Sequence, residues 1–168
     1  MNQYENAIVQ FEKALEIEPN HVWSHNHLGY ALAQNQQPEK ALNQCEIVLA
    51  LEEVQKDTKA AKEKAGSANA VCGLALIALN QPKPAIEKCQ TAMTLHQSSG
   101  WASECLETAL LQLEKPEDFT QYESFVDKLT NNSLKARYYY TYARALSGLK
   151  QYQTVPPSIS KSQRFWLS

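Results

Sequence analysis

Apolar residues return at helical spacing along most of this chain. Ala7, Phe11, Ala14 and Leu15 share one helical face, and Leu106, Ala109, Leu110 and Leu113 repeat the arrangement nearer the C-terminus. No stretch alternates apolar and polar residues over a strand's length, so the pattern predicts an all-α chain. Pro38, Pro82 and Pro116 fall at the heads of periodic stretches, in the first turn, where a missing N–H removes no helical bond. The spacing predicts helices over 3–18, 22–34, 38–53, 58–79, 83–96, 101–113, 117–129 and 134–149.

The pattern itself recurs. Tyr4, Ala7, Phe11 and Ala14 are answered 34 residues on by Pro38, Ala41, Cys45 and Val48. Leu28-Gly29-Tyr30-Ala31-Leu32, running through Pro38 to Ala41-Leu42, has a second copy 44 residues later. That copy is Cys72-Gly73-Leu74-Ala75-Leu76, running through Pro82 to Ala85-Ile86, with Cys45 answered by Cys89. Leu106, Ala109, Leu110 and Pro116 follow the second copy by 34, and Ala145 and Leu146 follow Ala109 and Leu110 by 36. Small residues at these places let helices approach, while larger ones fill the seam. A fixed period of this length marks a stacked array, in which each unit buries its apolar face against its neighbours.

Five units are expected, the first lacking its first helix and the last its second. Both ends therefore read as cut, with terminal seams open to self-association. The long offset places ten extra residues in a charged, helix-favouring run from Glu52 to Lys64. With Asp57 as N-cap, this predicts a lengthened hairpin at about 50–66, two helices projecting past their neighbours by ~1.5 Å per residue. It is either a solvated tip or a second docking ridge. Residues 1–152 form the expected array, and turn-rich 153–168, with Pro156-Pro157 and a basic, aromatic end, a flexible tail.

The set Tyr4-x2-Ala7-x3-Phe11-x2-Ala14-x4-Pro19 resembles the second helix of a tetratricopeptide repeat. Leu28-Gly29 with Leu32, then Ala41, resembles the first helix of the next repeat and the start of its partner. The resemblance covers roughly residues 3–152 and is closest in the early copies. Glu107 and Ala143 stand where the family prefers glycine, and Phe119 where it prefers alanine. The proline between repeats survives only as Pro19. The resemblance implies a right-handed superhelical α-solenoid of antiparallel helix pairs, with first helices lining a concave groove. The implied function is a protein-interaction scaffold.

With Val22, Gly66, Gly100 and Ala136 as first positions, the family register turns four residues per unit toward the groove. The second unit offers Trp23, Asn26, Tyr30 and Gln34, and the third Ser67, Ala70, Leu74 and Ala78. The fourth offers Trp101, Glu104, Thr108 and Gln112, and the fifth Arg137, Tyr140, Arg144 and Gly148. Trp23, Tyr30, Trp101, Tyr140 and Arg144 are the expected anchors for a protein or peptide segment, because such side chains supply hot spots of ~2 kcal/mol or more. The competing placement packs Trp23 and Trp101 between successive repeats. Arg137 and Arg144 read either as receivers of an acidic segment or as solvated charges. Some members of the family grip a peptide carboxylate with a lysine and asparagine pair. The corresponding places hold Asn26 and Tyr30, Ala70 and Leu74, and Glu104 and Thr108, so that clamp is not expected.

Composition narrows the reading. A net charge of −2 over 168 residues gives no electrostatic case for nucleic acid. No apolar stretch reaches the ~20 residues of a membrane span, and Met-Asn-Gln-Tyr-Glu is not the start of a secretory signal. The expected location is cytoplasmic, away from membranes. Cys45, Cys72, Cys89 and Cys105 form no C-x-x-C pair and read as small core residues of a reducing compartment, with zinc or a disulfide as the alternatives. His21, His25 and His27 have no carboxylate or cysteine at ligand spacing, so no metal is expected, and His27 is placed beside Leu28. No nucleophile motif or phosphate-cradling glycine loop is present, which predicts neither catalysis nor a cofactor. Two other functions stay open: a self-associating structural fragment, or an accessory substrate-positioning region of a larger enzyme.

Overall fold

Local signals start and stop the helices where the periodicity places them. A computed structural model describes residues 3–113, 125, 126, 129 and 131–148. Seven α-helices lie among them: α1 (Gln3–Ile17), α2 (Val22–Gln34), α3 (Pro38–Ala50), α4 (Lys59–Ala78), α5 (Pro82–Leu95), α6 (Gly100–Leu111) and α7 (Asn132–Gly148). No strand occurs among the described residues. The helix expected over 117–129 lies largely outside them.

The two turns that lead into proline are built alike. Gln36 and Asn80, 44 residues apart, both take left-handed backbone, with φ of 58° and 57°. Just beyond them, Gln37 and Gln81 donate their N–H groups to Leu32 O and Leu76 O, each at 2.9 Å. This closes the preceding helix with a Schellman-type bond before Pro38 and Pro82 open the next. Elsewhere side chains cap. Thr58 accepts from Ala61 N at 3.1 Å, Ser99 from Ala102 N at 3.4 Å, and Asn131 from Leu134 N at 3.0 Å.

The ten extra residues are used differently from the expectation. α3 has 13 residues, like α2, so only α4 is extended, to 20. The rest of the insertion forms a short 3-10 turn, Glu52–Val54, whose Val54 folds back into the core at 5% exposure. Burying Val54 requires the chain to bend back at Leu51, which ends α3 early. Thr58, not Asp57, is the N-cap; Asp57 pairs with Lys62, whose hydrogen bond, and then its charge, holds the carboxyl below the ordinary value.

Packing follows the order of a repeat array. Each helix from α1 to α6 packs against the next, and α2, α4, α6 and α7 also touch in succession. These four form one layer, with α1, α3 and α5 behind it. Ala41, Cys45, Ala68, Ala75, Ala85, Cys89, Ala102 and Ala109 are fully buried in the seams. Their small side chains allow the close approach that Ile86, Met93, Leu106, Leu110 and Tyr138 then fill. Burial of such apolar surface contributes ~25 cal/mol per Å².

The cysteines correct the expectation of free thiols. Cys45 of α3 is bonded to Cys72 of α4, and Cys89 of α5 to Cys105 of α6, with Cα separations of 5.6 and 5.5 Å. Close packing of adjacent helices brings together residues 27 and 16 apart in sequence, which no C-x-x-C spacing announces. The pairing also withdraws the cysteine argument for a reducing compartment.

Candidate interaction face

The layer of α2, α4 and α6 presents one surface, shaped by what α4 lacks. Ser67, Ala70 and Leu74 of α4 are 2%, 0% and 7% exposed, so this helix forms a low floor. A Cβ on Gly29 would lie 2.6 Å from Val71 Cγ1, and only hydrogen there lets α2 settle against α4. Side chains of the flanking helices then meet above the floor. Tyr30 of α2 stacks on Trp101 of α6, with centroids 4.7 Å apart and planes 8° from parallel. His27 meets Trp101 edge-on at 5.0 Å, and Trp23 and Phe11 approach His27 at 6.3 and 5.7 Å. The Tyr30 hydroxyl and the Gln34 amide donate to the two carboxylate oxygens of Glu104, each at 3.4 Å. Partial burial, then the Glu104 charge, raises the Tyr30 pKa above its ordinary value.

A cleft of about 290 Å³ opens beside this bridge, lined by Trp23, His27, Ser67, His96, Ser98, Ser99, Gly100 and Trp101. Its far wall depends on Gly66, because a Cβ there would lie 2.9 Å from the His96 backbone nitrogen. The loop after α5 can therefore sit on α4, where Ser67 Oγ and His96 Nδ1 are 3.1 Å apart. His96 and Ser98 also border a second recess of about 580 Å³, whose rim carries Lys59, Lys62 and Glu63.

The residues expected in the groove divide into three groups. Trp23 (39% exposed), Tyr30, Gln34, Trp101, Glu104 and half-buried Thr108 stand on the shared surface of α2 and α6. Thr108 spends its hydroxyl on Glu104 O, one turn back, at 2.8 Å. Tyr140, 65% exposed, and Arg144 stand on α7. Arg144 pairs with Glu107 at 3.2 Å and lies 6.0 Å from the Tyr140 ring centroid. The third group serves packing and corrects the register. Asn26 is fully buried, donating to Lys64 O at 3.3 Å, because the extended start of α4 covers it. Leu74 is in the core, and Gln112 ties α6 to Ile77 O at 2.9 Å. Arg137 is half-buried, donating to Ser103 Oγ at 2.8 Å and to Ser99 O; this burial lowers its pKa from the ordinary value.

His27 and His96 of the cleft lie outside the set expected in the groove. His27 lies four residues after Trp23, on the same helical face, a signal available from spacing alone. His96 arrives through a loop that no periodicity describes. The other histidines have specific partners. His25 meets Gln44 Oε1 and Pro19 O at 2.7 and 2.8 Å, and His21 meets Ser24 Oγ at 2.7 Å. Among the described residues no cluster has the makings of a metal site, and no helix is long and apolar enough to cross a membrane.

Paired helices in serial contact, presenting one lined face, define the class of a helical repeat protein. A family model described as TPR repeat matches residues 1–36, which span α1 and α2, and supports a protein of the tetratricopeptide-repeat family. Neither the curated proteins nor the solved structures compared with the chain gave a match. Repeats of this family generally mediate protein–protein interaction.

Proposed function

We propose that this chain is a non-catalytic interaction scaffold that holds a segment of a partner protein along α2, α4, α6 and α7, the concave face of a right-handed solenoid. The observation carrying the reading is the cleft between Trp23 and Trp101. It is the size of a single large side chain and is walled by two amphipathic rings. Trp101 is held from behind by Tyr30 and from the side by His27, so little ordering is left to oppose binding. An apolar or aromatic side chain of the partner enters here, and Tyr140 with Arg144 engages the segment further along.

Affinity capture tests this, comparing the chain with a Trp23→Ala/Trp101→Ala/Arg144→Glu variant matched for helicity by circular dichroism. Proteins held by the first and lost from the second support the face. Equal recovery removes it.

One observation favours a second reading, association of chains through α1. That helix exposes Tyr4 at 39% and Ile17 at 87%, two large apolar residues on one element. A concentration-dependent mass in sedimentation, abolished by Ile17→Lys, is its signature.

A further inference from the structure

The two disulfides hold equivalent places. Each joins the second helix of one unit to the first helix of the next: Cys45 of α3 to Cys72 of α4, and Cys89 of α5 to Cys105 of α6. All four cysteines are at most 1% exposed. Both bonds also converge on one short piece of α4. Cys72 belongs to the first, and a Cβ on its neighbour Gly73 would come within 3.0 Å of both sulfurs of the second. The helix so held is the floor over which Tyr30 and Trp101 meet.

We infer that the two disulfides are inter-repeat staples that set the spacing of the α2–α4–α6 face, so that its aromatic bridge is assembled in the oxidised chain and loosened by reduction. The physical reason is distance. Bonded sulfurs sit at ~2.05 Å, whereas unbonded heavy atoms settle at about 3.5–4.0 Å. Each reduced seam must therefore open by about 1.5 Å or turn its cysteines to new rotamers, in an interior packed too densely to absorb the change locally. Two seams lie between α2 and α6, and the ring stack that spans them has its centroids 4.7 Å apart.

Closure is ordinary thiol–disulfide exchange. A cysteine thiolate attacks an external disulfide, such as glutathione disulfide, forming a mixed disulfide and releasing one thiolate. The second cysteine, as thiolate, displaces the other. Each pair of thiols thus gives up two protons and two electrons, and the external disulfide becomes two thiols. A dithiol reductant runs the balance backward. Because the sulfurs are buried, both directions need the seam to open, which places closure during folding and makes the closed bonds slow to reduce in the native chain.

The test needs no partner, so its failure would leave the interaction reading standing. The purified full chain is refolded in glutathione redox buffer, denatured without reductant, alkylated and weighed. No adducts are expected, four after reduction, and digestion is expected to give linked peptides pairing Cys45 with Cys72 and Cys89 with Cys105. Free thiols or other pairings overturn the inference. Oxidised and reduced chains, and the Cys89→Ala/Cys105→Ala variant, are then compared by thermal melting and near-ultraviolet circular dichroism. Loss of each bond is expected to lower Tm by about 5–15 °C and to weaken the tyrosine–tryptophan signal while helicity stays. An unchanged aromatic signal in a fully reduced, still helical chain overturns the coupling. The variant serves as the permanently opened second staple if the reduced wild-type chain aggregates.

Discussion

Tyr30 and Trp101 lie face to face although 71 residues separate them, joined across a helix that contributes no large side chain between their rings. The same tyrosine and its helical neighbour Gln34 reach Glu104, one turn beyond Trp101. The second and fourth units therefore touch directly, over the third.

This contact has a measurable coupling. Tyr30→Ala and Trp101→Ala each remove the stack, and the double variant is expected to cost less than the sum of the two. A double-mutant cycle by urea denaturation should give an interaction energy of ~0.5–1.5 kcal/mol. A value near zero would show that the rings touch without stabilising one another.

The raised Tyr30 pKa makes part of the stability alkaline-sensitive. The folded-state value stands above the unfolded one, so this contribution is complete below the ordinary tyrosine value of 10.0 and disappears as pH rises through the raised value. The cause is burial first, then the Glu104 charge, and both penalise the phenolate. Between pH 9 and 11, denaturation of Tyr30→Phe is expected to show a shallower loss of stability than the wild type. Parallel curves would count against it.

Glycine 73 is expected to be far less replaceable than glycine 100. A Cβ at Gly73 meets both sulfurs of the Cys89–Cys105 bond, while at Gly100 nothing lies within 4 Å. Gly73→Ala should therefore destabilise by about 1–3 kcal/mol and slow closure of that bond. Gly100→Ala should stay within ~0.5 kcal/mol of wild type. Thermal melts of the two variants, side by side, decide it.

The left-handed turn residues offer a gain. Gln36 holds φ at 58° with a full side chain, a conformation that costs an L-residue roughly 1–2 kcal/mol. Gln36→Gly relieves this at the expense of a more flexible unfolded chain, for a net gain of ~0.5–1 kcal/mol. Asn80→Gly, at φ 57°, should gain less, because asparagine already tolerates this region. A loss of stability at Gln36→Gly would mean that its side chain matters beyond the turn.

Much of the helical layout was legible because it depends on near neighbours. The range expected for α2, 22–34, coincides with the helix found, and most other ends fall within two residues. Apolar spacing, a proline at Pro38 or Pro82 and a polar cap at Ser99 each act within one or two turns. The insertion was harder. Its helix-favouring composition was visible, but the end of α3 depended on where Val54 found burial, and that is a property of the packed neighbours.

The face divides along the same line. Trp23 and His27 share a face of α2 by spacing alone, and successive offsets of 44 and 34 residues aligned α2 with α6 closely enough to put Tyr30, Trp101 and Glu104 on one surface. The register failed at Asn26, Leu74 and Arg137, which belong to the packing. By itself, then, the sequence determined the helices of the described residues and the order of their repeated units, because short-range periodicity and capping act along the backbone. Tertiary structure alone decided which cysteines pair, how His96 comes to wall the cleft, and that Tyr30 closes on Trp101. Those outcomes depend on how near one helix can come to the next, and that distance is set across the seams by Gly29, Gly66 and Gly73, where a missing Cβ lets backbone and side chain meet.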